Sequence, residues 1–167
     1  LIKAIEKNSW KEETQSYMQN LRTDGTLVNQ ETYGVFGTGY SPNSILPFGR
    51  VAAYFAKVLK DSSYHTAIER TAQMVAKADL PKDFVINSLA DVVHFYLDAH
   101  EVTQNAAYLT EAKRFADIGI QQLYKNGLFV RQPEDAYYEA KLKTGNFVFG
   151  LLRLHCTLHP QRLSPNE

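Results

Sequence analysis

The chain has 167 residues, of which 44% are hydrophobic and 22% charged. That balance is globular and excludes a disordered, collagenous or disulfide-stapled chain. Lys plus Arg and Asp plus Glu each number 18, so the formal net charge is zero, and the basic excess of an electrostatic nucleic-acid binder is missing.

Helical periodicity marks five or six segments, and strand patterns are scarce. The first runs from Ile2 to Leu21, with Ile5, Trp10, Tyr17 and Leu21 as its apolar positions. The second covers Ile45 to Lys60 and is broken by Asp61-Ser62-Ser63, where Ser62 or Ser63 is placed to cap a third helix reaching Ala78. Leu80-Pro81 ends that helix. The fourth runs from Lys82 to Val102, and Thr103-Gln104-Asn105 makes a turn. The fifth runs from Ala107 to Tyr124 and is stopped by Asn126-Gly127 as a left-handed cap. The sixth covers Thr144 to Leu158 and ends before Pro160.

Several classes drop out on what the chain lacks. Cys156 is the sole cysteine, so neither an intrachain disulfide nor a cysteine-based zinc site can form. No apolar run reaches the ~18–20 residues needed to span a bilayer, so no membrane partner is expected. No Walker loop, dinucleotide fingerprint, HExxH or GxSxG occurs, and neither a metal nor a cofactor is expected. Gly34, Gly37 and Gly39 sit among aromatics and read as turn formers. The chain begins at Leu1, which points to a removed leader or to a piece of a longer polypeptide.

Two regularities link the helices. Tyr64, Thr66, Arg70 and Ala72 match Tyr108, Thr110, Arg114 and Ala116 at a constant offset in sequence, which suggests a repeat. Polar or small residues also recur at i, i+4, i+7 and i+11. They are Arg50, Tyr54, Lys57 and Asp61; then Asn87, Asp91, His94 and Asp98; then Asn146, Gly150, Arg153 and Thr157. That spacing is one helical stripe. A helix apolar over the rest of its circumference is buried on most sides, so its stripe must meet water, a cavity or a ligand.

The connections alternate in length. Two are long, Thr23–Asn43 and Lys125–Lys143. If successive helices alternate in direction, both long loops share one face with the short Asp79–Pro81 connection. Long loops are uncommon in compact domains and are often functional.

The stretch Leu89–Leu128, LADVVHFYLDAHEVTQNAAYLTEAKRFADIGIQQLYKNGL, has a helix ending in a short turn, a Tyr-Leu pair, an Ala-rich helix and then Asn-Gly. It resembles the hairpin of α/α-toroid carbohydrate-active families: helical polysaccharide lyases, six-hairpin glycosidases and related sugar epimerases. The resemblance covers Phe48 to His155 and carries no diagnostic catalytic signature. It implies an all-α fold of antiparallel helical hairpins, a single domain over residues 1–167. A full ring needs on the order of 300 residues, so the chain is expected to be an arc of a toroid, part of a larger protein, with two long loops on one face. The open edge of an arc calls for a partner segment or a second copy. The families imply a secreted or periplasmic protein.

The long loops hold the densest polar and aromatic clusters. A tyrosine offers a sugar both a ring to stack on and a hydroxyl to bond. An arginine binds a uronate carboxylate and stabilises charge at the abstracted position. In a polysaccharide lyase, Tyr137, Tyr40 or His94 would take the proton, with Tyr33, Arg131, Tyr138 and Lys141 binding substrate. Arg50 and Arg153 would join them if their stripe faces the ring centre. The bland reading is that all of these pack loops, cap helices or face solvent. His94, between Asp91 and Asp98, reads as a tuned base or metal ligand, or as a satisfied histidine. Glu134 and Asp135 are candidate glycosidase carboxylates or ordinary turn residues after Pro133. The aromatics Tyr54-Phe55, Phe95-Tyr96 and Phe147/Phe149 read as core, and Trp10 as a packing anchor. The leading expectation is a polysaccharide lyase or hydrolase acting on an acidic oligo- or polysaccharide, with the lyase favoured because the loops are rich in Tyr and Arg and offer no convincing pair of separated carboxylates. A sugar epimerase ranks lower, since only His94 is placed for it. The alternative is a non-catalytic helical-repeat module that self-associates or packs on another domain.

Overall fold

The computed structural model describes residues 1–36, 43–137 and 144–160, and these are mostly helical. The first helix is shorter than its pattern suggests. α1 spans Ile2–Ser9, and the expected continuation to Leu21 is instead an antiparallel pair, β1 (Trp10–Lys11) and β2 (Ser16–Tyr17), with Trp10 opposite Tyr17. Four consecutive polar residues, Glu12–Gln15, give a helix no apolar side to bury there, and Gln15 takes a positive φ of 48° at the turn. Extended chain continues through bridges between Met18 and Thr32 and between Leu21 and Leu27.

α2 (Leu46–Leu59) opens with Pro47 in its first turn, where a missing N–H costs nothing. It ends at Lys60 in the left-handed conformation. Asp61, rather than Ser62 or Ser63, is the capping residue. Its carboxylate accepts from the Ser63 N–H at 2.9 Å and opens a 3-10 turn over Ser62–Tyr64, after which α3 runs His65–Lys77. α4 starts later than Lys82, at Ile86, and reaches Thr103. Val85 is extended, and the Ile86 N–H is taken by the carbonyl of Arg131 at 2.8 Å. Asn105 caps α5 (Ala106–Leu123) by accepting from the Ala107 N–H.

Asn126-Gly127 is not a helix cap. It is the two-residue loop of a second β-pair, β3 (Tyr124–Lys125) with β4 (Leu128–Phe129), and both loop residues have positive φ, 50° and 89°. Asn-Gly suits that turn because its twist matches that of the paired strands. α6 occupies Thr144–Leu158, as its pattern predicts.

α4 lies at the centre of the packing. Leu89, Val92, Val93, Phe95, Tyr96 and Ala99 are buried on all sides of it, and it packs extensively on α2, α5 and α6. Between α2 and α4 the ion pairs step the same way along both helices: Arg50 meets Asp91 and Asp98, and Lys57 meets Glu101. α3 packs on α2, with Gly49 against the Thr71 methyl and the Phe95 ring.

Two α3 side chains fasten the N-terminal segment, Lys77 by donating to Gln15 and Arg70 by ion pairing. Arg70 pairs with Glu6 and with Glu12, and its guanidinium lies 4.5 Å from the centre of the Trp10 ring. Tyr17 donates its hydroxyl to the same Glu6. Burial, reinforced by Glu6, pushes the Tyr17 hydroxyl far above the usual phenol range, so it remains a donor.

Candidate functional site: the groove of α2, α4 and α6

The three polar stripes meet. α2 and α6 flank α4, and an open groove of about 620 Å³ lies along the seam. Asp98 holds its centre. One carboxylate oxygen accepts from Arg50 Nε at 3.0 Å and the other from Arg153 at 2.7 Å, so a single α4 side chain ties α2 to α6. Arg50 also approaches Asp91 at 3.8 Å. Farther along, Lys57 reaches Glu101 at 2.6 Å. Charge-assisted bonds of this kind fix orientation as well as charge.

His94 stands behind this row, 1% exposed. Arg153 lies 3.0 Å from its Nδ1, and a guanidinium has donors only, so Nδ1 accepts. Nε2 then carries the hydrogen and donates to the carbonyl of Asn146 at 3.0 Å. Burial is the first cause that lowers the His94 pKa below its ordinary value; Arg50 and Arg153 lower it further, against the opposing pull of the Asn146 carbonyl and Asp98. With both nitrogens engaged, His94 presents no free base to the groove. It holds Arg153. Gly150 makes this approach possible, since a Cβ there would already touch Val93 and the imidazole at 3.3 and 3.5 Å.

Two aromatics stand on the walls. Tyr54 on α2 is 62% exposed and Phe149 on α6 is 55% exposed, and both line the groove. Each has a ring behind it, Phe55 for Tyr54 and His94 for Phe149, with centroids 5.9 and 5.7 Å apart. The sequence places Tyr54 both on the α2 stripe and among the core aromatics, and its exposure follows the stripe; Phe149, expected in the core, is exposed instead. Phe149 falls between stripe positions Asn146 and Gly150 and gives no stripe signal.

The loop candidates stand apart from the groove. Tyr33 is half-buried and lines a separate N-terminal pocket with Leu1, Asn8 and Arg22. Arg131 is paired with Asp135 at 3.2 Å, which also accepts from the Gln132 N–H, so both are committed to the local turn. Tyr137 is 66% exposed and does not line the groove. Tyr40, Tyr138 and Lys141 lie outside the described residues. Of the expected site residues, Arg50, Arg153 and His94 come together; Tyr33, Arg131 and Tyr137 do not join them.

Among the described residues, no three His, Cys, Asp or Glu side chains gather as a metal site, and no helix is long and apolar enough to cross a membrane. The chain matches no family model, no curated protein and no solved structure.

Proposed function

We propose that the chain is a carbohydrate-active domain, an arc of an α/α toroid built from antiparallel helical hairpins, which holds an oligo- or polysaccharide in the groove of α2, α4 and α6. The observation that carries this reading is the convergence of three helical stripes on one groove, where Asp98 orients two arginines between exposed aromatic walls. A sugar presents flat apolar faces edged with hydroxyls, and this lining supplies a partner for each. β-Elimination fits the groove poorly. A lyase would need a cation free for the uronate, and both arginines here are given to Asp98. The reading places the protein outside the cytoplasm, secreted or periplasmic.

Affinity electrophoresis of the full-length protein through polysaccharide-containing gels tests it, together with assays for new reducing ends and for unsaturated-uronate absorbance. Retardation with at least one polysaccharide is expected, weakened about ten-fold by Arg153→Ala, along with reducing-end release. Unsaturated products would move the assignment to a lyase. Neither retardation nor product on any polysaccharide removes the proposal.

A second reading rests on a different observation. Val51, Val58 and Leu59 on α2 and Val148, Leu152 and Leu158 on α6 are all 40% exposed or more. Apolar edges of this kind suit a helical-repeat module that packs on another domain or on its own copy.

A further inference from the structure

The charge lining the groove is balanced among the described residues. Arg50, Lys57 and Arg153 face Asp91, Asp98 and Glu101, three cations against three carboxylates. Each cation is paired: Arg50 and Arg153 with Asp98, and Lys57 with Glu101. An anionic sugar chain entering here would have to separate these pairs or lie against three like charges, with no net field to draw it in. A neutral sugar meets no such cost. Its hydroxyls donate to carboxylate lone pairs and accept from guanidinium N–H groups, and each guanidinium carries five, more than Asp98 and His94 take up.

The walls point the same way. Tyr54 and Phe149 stand on opposite sides of α4, each exposed and each braced by a neighbouring ring. A braced, exposed ring loses little freedom on binding, and its face matches the axial C–H face of a neutral pyranose. We propose that the groove takes a neutral oligosaccharide, with Tyr54 and Phe149 as stacking platforms and the Asp98-centred pairs reading hydroxyls between them. This replaces the expectation of an acidic substrate, and it rests on the carbohydrate reading above.

Titration calorimetry on the full-length protein tests it with two probe sets: neutral gluco-, xylo- and manno-oligosaccharides, and oligomers of galacturonate and mannuronate. Binding of a neutral oligomer is expected, little changed by added salt. Tyr54→Ala and Phe149→Ala should each weaken it about ten-fold, whereas Tyr54→Phe and Phe149→Tyr should retain it. Both positions are exposed, so the variants keep the fold, and circular dichroism checks this. Binding confined to the uronates and steeply weakened by salt overturns the neutral assignment and leaves the carbohydrate reading standing. Neutral binding indifferent to both alanine variants overturns the platforms. No binding by either set overturns both proposals together.

Discussion

The imidazole of His94 accepts from Arg153 at one nitrogen and donates to Asn146 at the other, so a second proton would break the first of these bonds and set two cations side by side. Burial first, and the neighbouring arginines after it, hold its pKa in the folded chain below the ordinary 6.5. The unfolded chain then binds more protons than the folded one between those two values, and stability rises with pH across that window. The His94 contribution is complete above about pH 6.5 and is lost as pH falls through the lower, folded value. Urea titrations over this range should show the decline. His94→Gln, which keeps one donor and one acceptor, should flatten it, whereas His94→Ala should cost about 1–3 kcal/mol at neutral pH by leaving Arg153 and the Asn146 carbonyl unmatched. An unchanged pH slope in His94→Gln would assign the decline to other groups. The positions of these side chains were legible in the sequence because i, i+4, i+7, i+11 defines one face of a helix whatever surrounds it. Their partnerships were not. Nothing in the spacing says that Arg50 and Arg153, from different helices, would meet on the same carboxylate.

Among the elements, the long apolar helices were read best, because burial and helical period agree along their length. α6 begins and ends where its pattern does, and α2, α3 and α5 start or stop within a few residues of expectation. The first twenty residues depart from their pattern for the opposite reason. Ile5, Trp10, Tyr17 and Leu21 are spaced too widely to fix a period, and the polar run between them left the choice to tertiary contacts with α3. Asn126-Gly127 fits both a helix stop and a two-residue strand turn, and the pairing of Tyr124 with Phe129 decides it. Close helix packing also went unread, because it depends on which glycine meets which ring. A methyl group on Gly119 of α5 would overlap the buried Phe147 ring of α6. Gly119→Ala should therefore destabilise by about 1–3 kcal/mol despite the better helix propensity of alanine. Gly145 has open space around its Cβ position, and Gly145→Ala should be neutral or stabilising by up to about 1 kcal/mol. Thermal melts of the two variants compare them directly. A Gly119→Ala protein as stable as the parent would mean that the α5–α6 seam yields.

For the molecule as a whole, the mostly helical class is legible from composition and period, but the location of the candidate site is not. Loop length drew attention to the two long connections, whereas Arg131 is absorbed in its own turn and Tyr33 serves the N-terminal face. The groove lies instead where three stripes meet, and that depends on how the helices are set against one another. The exposed apolar residues of α2 and α6 bear on the second functional reading. If they seek a partner, sedimentation should show mass above that of the monomer at high concentration, reverting to monomer in Val58→Lys/Leu152→Lys. A monomer at every concentration that binds no apolar dye would remove that reading. Trp10, the single tryptophan of the chain, sits under Arg70 and against the edge of Tyr17, away from the groove lining. Indole emission from this protein is thus a private signal of the first twenty residues. It will shift when that strap lifts from α3 and stay dark to whatever occupies the cleft, so unfastening and ligand capture can be followed on separate channels in one sample.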